Sequence, residues 1–142
     1  GMGEFVADAA IKQMIIAGLA PKTARVAVLG ASFKENCPDI RNSRVLDIVK
    51  HLRSVGINPI ISDPIADKRD VKAMYGSDAV DISDIRDINC LIIAVAHNEY
   101  RNMKFSELER LFADGNCGEK VVIDVKSIFS KEDAKGYRYW RL

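Results

Sequence analysis

Residues 26–43 read VAVLGASFKENCPDIRNS, and the fold turns on this stretch. The apolar run from Val26 to Leu29 has the length and branching of a buried strand, and Gly30 stops it. A polar loop carrying Lys34, Glu35, Asp39 and Arg41 follows, and a helical pattern begins near Ser43. Strand, loop and helix in this order form the opening unit of an open α/β sheet. Such sheets bind ligands in the crevice at the carboxyl ends of their strands. Two cations in that loop suit an anionic ligand, a phosphate ester above all. Gly30 is the only glycine between Gly18 and Gly56, so the loop is not a GxGxxG fingerprint. Backbone amides packed against a pyrophosphate are therefore not its main device.

Outward from this unit, strands are predicted at 25–29, 58–62, 90–96 and 120–125, with a short one near 78–80. Their apolar runs are continuous and rich in β-branched residues, as for strands covered on both faces of a parallel sheet. Helices are predicted at 43–55, 68–75, around 83–86, and at 105–112. In the first of these, Val45, Ile48, Val49 and Leu52 keep the helical period, Ser43 suits the N-cap and Gly56 the position after the C-cap. The alternation predicts a doubly wound, Rossmann-like α/β domain with a parallel sheet of five or six strands in the order 3-2-1-4-5. Residues 4–18 form a further helix, extending from the domain and ended by Gly18 and Pro21. Its apolar residues (Phe5, Val6, Ile11, Met14, Ile15 and Ile16 among them) cover more than one face, which calls for a partner beyond its own domain.

The 142 residues are 48% apolar and 29% charged, which fits one ordinary domain with a real core. The net charge of +1 gives no electrostatic footprint for nucleic acid or for a membrane surface. The apolar runs are too short to span a bilayer, and no basic-then-apolar leader opens the chain. Cys37, Cys90 and Cys117 are odd in number and form no CxxC pair, which argues against a disulfide framework and against zinc. A cytoplasmic location is expected.

The loop is also where the chain resembles a known family. LGASFKENCPDIRNS is similar to the G-x-x-FK-x4-D-x-R-x-S signature in the carboxyl-terminal, UDP-binding domain of the UDP-glucose/GDP-mannose dehydrogenases. Ile61-Ser62-Asp63-Pro64, Ala94-Val95-Ala96-His97 and Ile123-Asp124-Val125-Lys126 resemble the ends of later strands of that domain, in order. GMGEFVADAAIKQMI resembles the end of the family's long central helix. The resemblance thus divides the chain into residues 1–20, the end of a dimerisation helix, and 21–142, a UDP-sugar-binding domain. The Glu35–Asp39 variant looks most like members that oxidise UDP-N-acetylhexosamines.

The resemblance implies a piece of an enzyme. Its parent oxidises the C6 alcohol of a UDP-sugar twice, through a thiohemiacetal on a cysteine and with NAD as the oxidant, to a uronic acid used in surface polysaccharide. The NAD domain and the nucleophile lie outside the 142 residues, so the fragment alone is expected to be inactive. A free-standing nucleotide-binding or regulatory module is the alternative reading. By resemblance, Phe33, Lys34 and Lys126 contact the UDP-sugar, Arg41 contacts NAD held mainly by the missing amino-terminal domain, and residues 4–18 pair with a second copy in a homodimer.

The remaining polar residues have plainer readings. Asp39 makes a local turn or holds Arg41, which would otherwise pair with Asp39 or Asp47. Asp63 sits where a dinucleotide fold holds ribose, but without the glycine fingerprint it is read as a turn residue. Cys37 is a packed loop residue, His51 a solvated one. His97, with no carboxylate beside it in sequence, is read as a shaping or hydrogen-bonding residue of the crevice.

Overall fold

In the computed structural model of the chain, residues 1–114 and 119–142 are described; Cys117 lies outside them. The strands are β1 (Val26–Leu29), β2 (Ile60–Ser62), β3 (Cys90–Ile93), β4 (Val121–Asp124) and β5 (Arg138–Arg141). The helices are α1 (Met2–Ile16), α2 (Arg44–Ser54), α3 (Lys68–Tyr75), α4 (Asn98–Arg101) and α5 (Phe105–Glu109). All five strands run parallel in the order β2-β1-β3-β4-β5. The register passes through Ile61, Val28, Ile92, Ile123 and Trp140 from one edge to the other.

Side chains alternate along each strand, so one sheet buries two cores. Val28, Ile92 and Ile123 face α1, α2 and α3, where Met14, Val49, Leu52 and Val71 meet them. Leu29, Leu91, Ile93 and Val122 face the opposite layer, built from Leu108, Leu111, Phe112 and Phe129. This is why the strands read as unbroken apolar runs: neither face meets water.

The 78–80 segment contributes one parallel bridge, Ile61 to Ala79, beyond β2. Counted as the third strand, it gives the predicted order 3-2-1-4-5. β5 adds a strand that the sequence did not announce. Arg138-Tyr139-Trp140-Arg141 is a half-buried edge whose Trp140 and Tyr139 go to opposite cores, so it carries no apolar run. Around 83–86 the chain forms a single 3-10 turn, Ile82–Asp84. The 105–112 helix is only Phe105–Glu109, because Phe112 leaves to bridge Ile88. The short α4 before it was not foreseen.

One face of α1 (Gly3, Val6, Ala7, Ala10, Met14) packs against α2 and the sheet. Small residues let the two helices approach closely; a Cβ on Gly3 would stand 2.6 Å from the Asp47 Cβ. His51 of α2 is not merely solvated, since its Nε2 lies 2.7 Å from Asp8 Oδ1 of α1. Phe5, Ile15 and Ile16 remain more than half exposed on the other side.

Candidate functional site

β1 ends at Gly30, whose φ of +97° and whose contact with Val95 admit no side chain: a Cβ there would be 2.6 Å from the Val95 Cβ. The chain therefore turns out of the sheet directly over the end of β3. Residues 31–43 that follow are tied down at several points. The Ala31 amide donates to Asp63 Oδ2 at 2.7 Å, and the Ala31 carbonyl accepts from the buried Tyr75 hydroxyl at 2.6 Å. The Phe33 amide donates to the Asp39 carbonyl at 2.7 Å, closing the loop on itself. Ser43 caps α2 by accepting from the Val45 amide, and its hydroxyl donates to the Ser32 carbonyl.

This loop forms one wall of a cleft of about 320 Å³. Phe33, Lys34, Arg44 and Lys126 line it, with Met2, Gly3 and Val6 of α1 opposite and Val95 and Val125 at its floor. Thus three of the four residues expected to bind ligand, Phe33, Lys34 and Lys126, meet in one cavity at the carboxyl end of the sheet. Lys126 gets there through the turn after β4, which the buried Asp124 carboxylate braces by accepting from the Ile128 and Phe129 amides and from the Tyr139 hydroxyl. The Phe33 ring is 54% exposed at the cleft.

The cleft is cationic. Lys34, Arg44 and Lys126 face it, and among the described residues none of the three is in an ion pair. The single carboxylate of the lining, Glu35, lies 3.7 Å from the Arg101 guanidinium. Arg44 escaped the sequence reading. It is the first residue of α2, where a cation opposes the helix dipole, and that misplaced charge was the signal available. Asn36 and Asn42 in the loop, and Ser127 after Lys126, all have φ between +53° and +59°. Of the four non-glycine residues with left-handed backbone among the described residues, these three lie in the segments that carry the cations; the fourth, Asp87, lies elsewhere.

Arg41 is elsewhere. It lines a neighbouring groove of about 270 Å³ with Asp39, Asp70 and Met74. Asp39 does both things expected of it: Oδ1 accepts from the Arg41 amide at 2.9 Å, and the two carboxylate oxygens take the guanidinium fork at 3.0 and 2.9 Å. These bonds hold the Asp39 carboxyl down to about 2. The Arg41 side chain stays 80% exposed.

His97 is the hydrogen-bonding residue expected, with a partner that the sequence did not show. It is fully buried, and its Nε2 lies 3.0 Å from Asp63 Oδ2, the carboxylate partner that the sequence separation of 34 residues hid. Asp63 also accepts from the Ile65 and Ala66 amides through Oδ1. Burial pushes its carboxyl up, and the bonds from His97 and the three amides bring it below the ordinary value. With two bonds accepted at each oxygen, Asp63 has no capacity left for a ribose hydroxyl. Cys37 is half-buried in the loop; burial pushes the Cys90 thiol up to about 12. Among the described residues, no three His, Cys, Asp or Glu side chains gather as metal ligands, and no helix is long and apolar enough to cross a membrane.

Comparison with known proteins shows the family. The family model described as UDP-glucose/GDP-mannose dehydrogenase family, UDP binding domain, matches residues 27–131. Protein CapL of Staphylococcus aureus is 35% identical over 99% of this chain and 32% of its own length. The UDP-N-acetyl-D-glucosamine 6-dehydrogenase of Salmonella typhi is 33% identical over 94% of this chain and 30% of its own length. The chain therefore spans about a third of the length of these curated relatives. Two solved structures share the fold over 99% of the chain: an NDP-N-acetyl-D-galactosaminuronic acid dehydrogenase from Methanosarcina mazei Go1, with TM-score 0.83, 19% identity and 29% of that chain covered, and a UDP-D-ManNAc dehydrogenase from Pyrococcus horikoshii, with TM-score 0.79, 20% identity and 30% covered. A match over residues 27–131, which include the whole loop from Gly30 to Ser43 and the Lys126 turn, places this chain in the UDP-glucose/GDP-mannose dehydrogenase family, as its UDP binding domain.

Proposed function

We propose that this chain is the substrate-binding part of an NAD-dependent nucleotide-sugar 6-dehydrogenase that acts on a UDP-N-acetylhexosamine and yields a UDP-uronic acid for surface polysaccharide. The observation that supports this is the cleft itself, an apolar floor with Phe33, Lys34, Arg44 and Lys126 around its mouth. The exposed Phe33 ring offers a face on which a base or sugar ring can lie. Lys34 and Lys126, from two different strand ends, suit a diphosphate bridging the cleft, and Arg44 adds a planar fork at the start of α2. The relatives' names support the substrate class.

Arg41, free on its outer side, suits contact with NAD that is bound by the other two thirds of the enzyme. That part also supplies the nucleophile, and NAD supplies the hydride acceptor. The exposed Phe5, Ile15 and Ile16 of α1 suit pairing with a second copy. Free Cys37 and Cys90 suit the reducing cytoplasm. The experiment is steady-state kinetics of the complete dehydrogenase with a panel of UDP-sugars, reading NADH. UDP-N-acetylhexosamine should be oxidised, and Lys34→Ala should raise KM for the sugar nucleotide while leaving that for NAD. Binding of UDP without any oxidation would favour the free-standing module.

A further inference from the structure

We propose that His97 is the positioning residue of the loop that presents Phe33 and Lys34, and that it acts as one fixed neutral tautomer with its proton on Nε2. The inference rests on the cleft being the UDP site. His97 follows β3 at the N-cap of α4, and its side chain is wholly buried. Its Nδ1 lies 2.9 Å from the Asn36 amide nitrogen. An amide can only donate, so Nδ1 must present its lone pair, and the proton of the neutral ring sits on Nε2. Nε2 faces Asp63 Oδ2 at 3.0 Å and Ser32 Oγ at 3.1 Å. The Ser32 hydroxyl spends its own proton on the Lys34 carbonyl at 3.1 Å, so Oγ and Asp63 Oδ2 both accept, sharing the single Nε2–H in a three-centre bond.

The consequence is a clamp. One ring holds Ser32 through one nitrogen and Asn36 through the other. Phe33 and Lys34 lie between these two anchors and themselves point away from the ring, into the cleft. Asp63 fixes the ring through the same Nε2 and also holds Ala31, and the Asn36 side chain accepts from the Asn98 amide at 2.8 Å. A histidine that merely filled core space would need one partner; this one uses both nitrogens on the same loop, on either side of the residues that face ligand. Asn36 bonds to Nδ1 with its φ at +59°, a conformation that the ring helps to hold.

Three readouts on the 142-residue chain test this. Nitrogen NMR of the histidine-labelled chain near neutral pH should show His97 protonated at Nε2 and bare at Nδ1; a proton on Nδ1 would overturn the clamp, and this measurement needs no variant. Amide hydrogen exchange of the ligand-free chain should quicken at Phe33–Asn36 in His97→Ala while the β1 and β4 amides hold. UDP affinity should fall about tenfold, the scale of losing one hydrogen bond to a charged group. His97→Gln, with one donor and one acceptor on its end group, should recover part of both. Unchanged loop exchange, or a loosened loop with UDP affinity intact, would overturn the proposal. If the unaltered chain takes no UDP, it is the cleft assignment that fails, and tautomer and exchange then decide the clamp by themselves.

Discussion

Gly30 at the end of β1 and Val95 beyond β3 approach so closely that a Cβ on Gly30 would fall 2.6 Å from the Val95 Cβ and 2.9 Å from its backbone nitrogen. Rotating the valine side chain moves its Cγ2 but neither its Cβ nor its nitrogen, so both contacts remain. Gly30→Ala should therefore cost about 2 kcal/mol or more, from the left-handed φ and the collision together. Chemical denaturation checks this. The loop should also tilt, so UDP affinity should fall even where the variant stays folded.

Arg44 separates binding from stability. It sits at the positive end of the α2 dipole and lines the cleft. Arg44→Ala should leave the free chain as stable or more stable, by about 0.3–1 kcal/mol, and should weaken UDP. Thermal melts with and without UDP read both effects. A loss of stability with no loss of affinity would mean that Arg44 is a structural residue.

Arg41 should behave in the opposite way to Lys34. It lies in the neighbouring groove, held by Asp39. Arg41→Ala should leave UDP affinity of this chain unchanged and raise KM for NAD in the complete enzyme. If the sugar-nucleotide constant alone moves, the two assignments are reversed.

Asp63 predicts a pH dependence. Its carboxyl lies below the ordinary value in the folded chain, because the bonds from His97 and three amides outweigh burial. A depressed carboxylate contributes stability that is present above the unfolded value of about 4. That stability is lost as pH falls through the folded value. Acid titration of stability should show this slope, and Asp63→Asn should flatten it while being less stable at neutral pH.

The α1 surface gives a test of pairing. Ile15 is 58% exposed, whereas Ile11 packs against the core. Ile15→Glu should abolish a dimer in sedimentation equilibrium without unfolding the domain. A monomer before substitution would mean that α1 needs the rest of the enzyme to pair.

Most of the fold was legible because buried parallel strands cannot hide: Val26–Leu29, Cys90–Ile93 and Val121–Asp124 are apolar on both faces. The edge strand Arg138–Arg141 was not, since an edge with water on one side needs no such run. Phe33, Lys34 and Lys126 were legible from motif and strand end, and the topology brings them together. Arg44 gave only a misplaced charge. The Asp63–His97 pair was hidden because β1 separates β2 from β3, although both residues lie just past the carboxyl ends of strands that flank β1.

Calorimetric titration of this chain with UDP shows most directly whether the cleft binds it. Binding should be saturable and weaken with salt, with a loss on the order of 1.5–3 kcal/mol in each of Lys34→Ala and Lys126→Ala, the scale of one charge-assisted contact. No heat at millimolar UDP, or full affinity in the double variant, would contradict it.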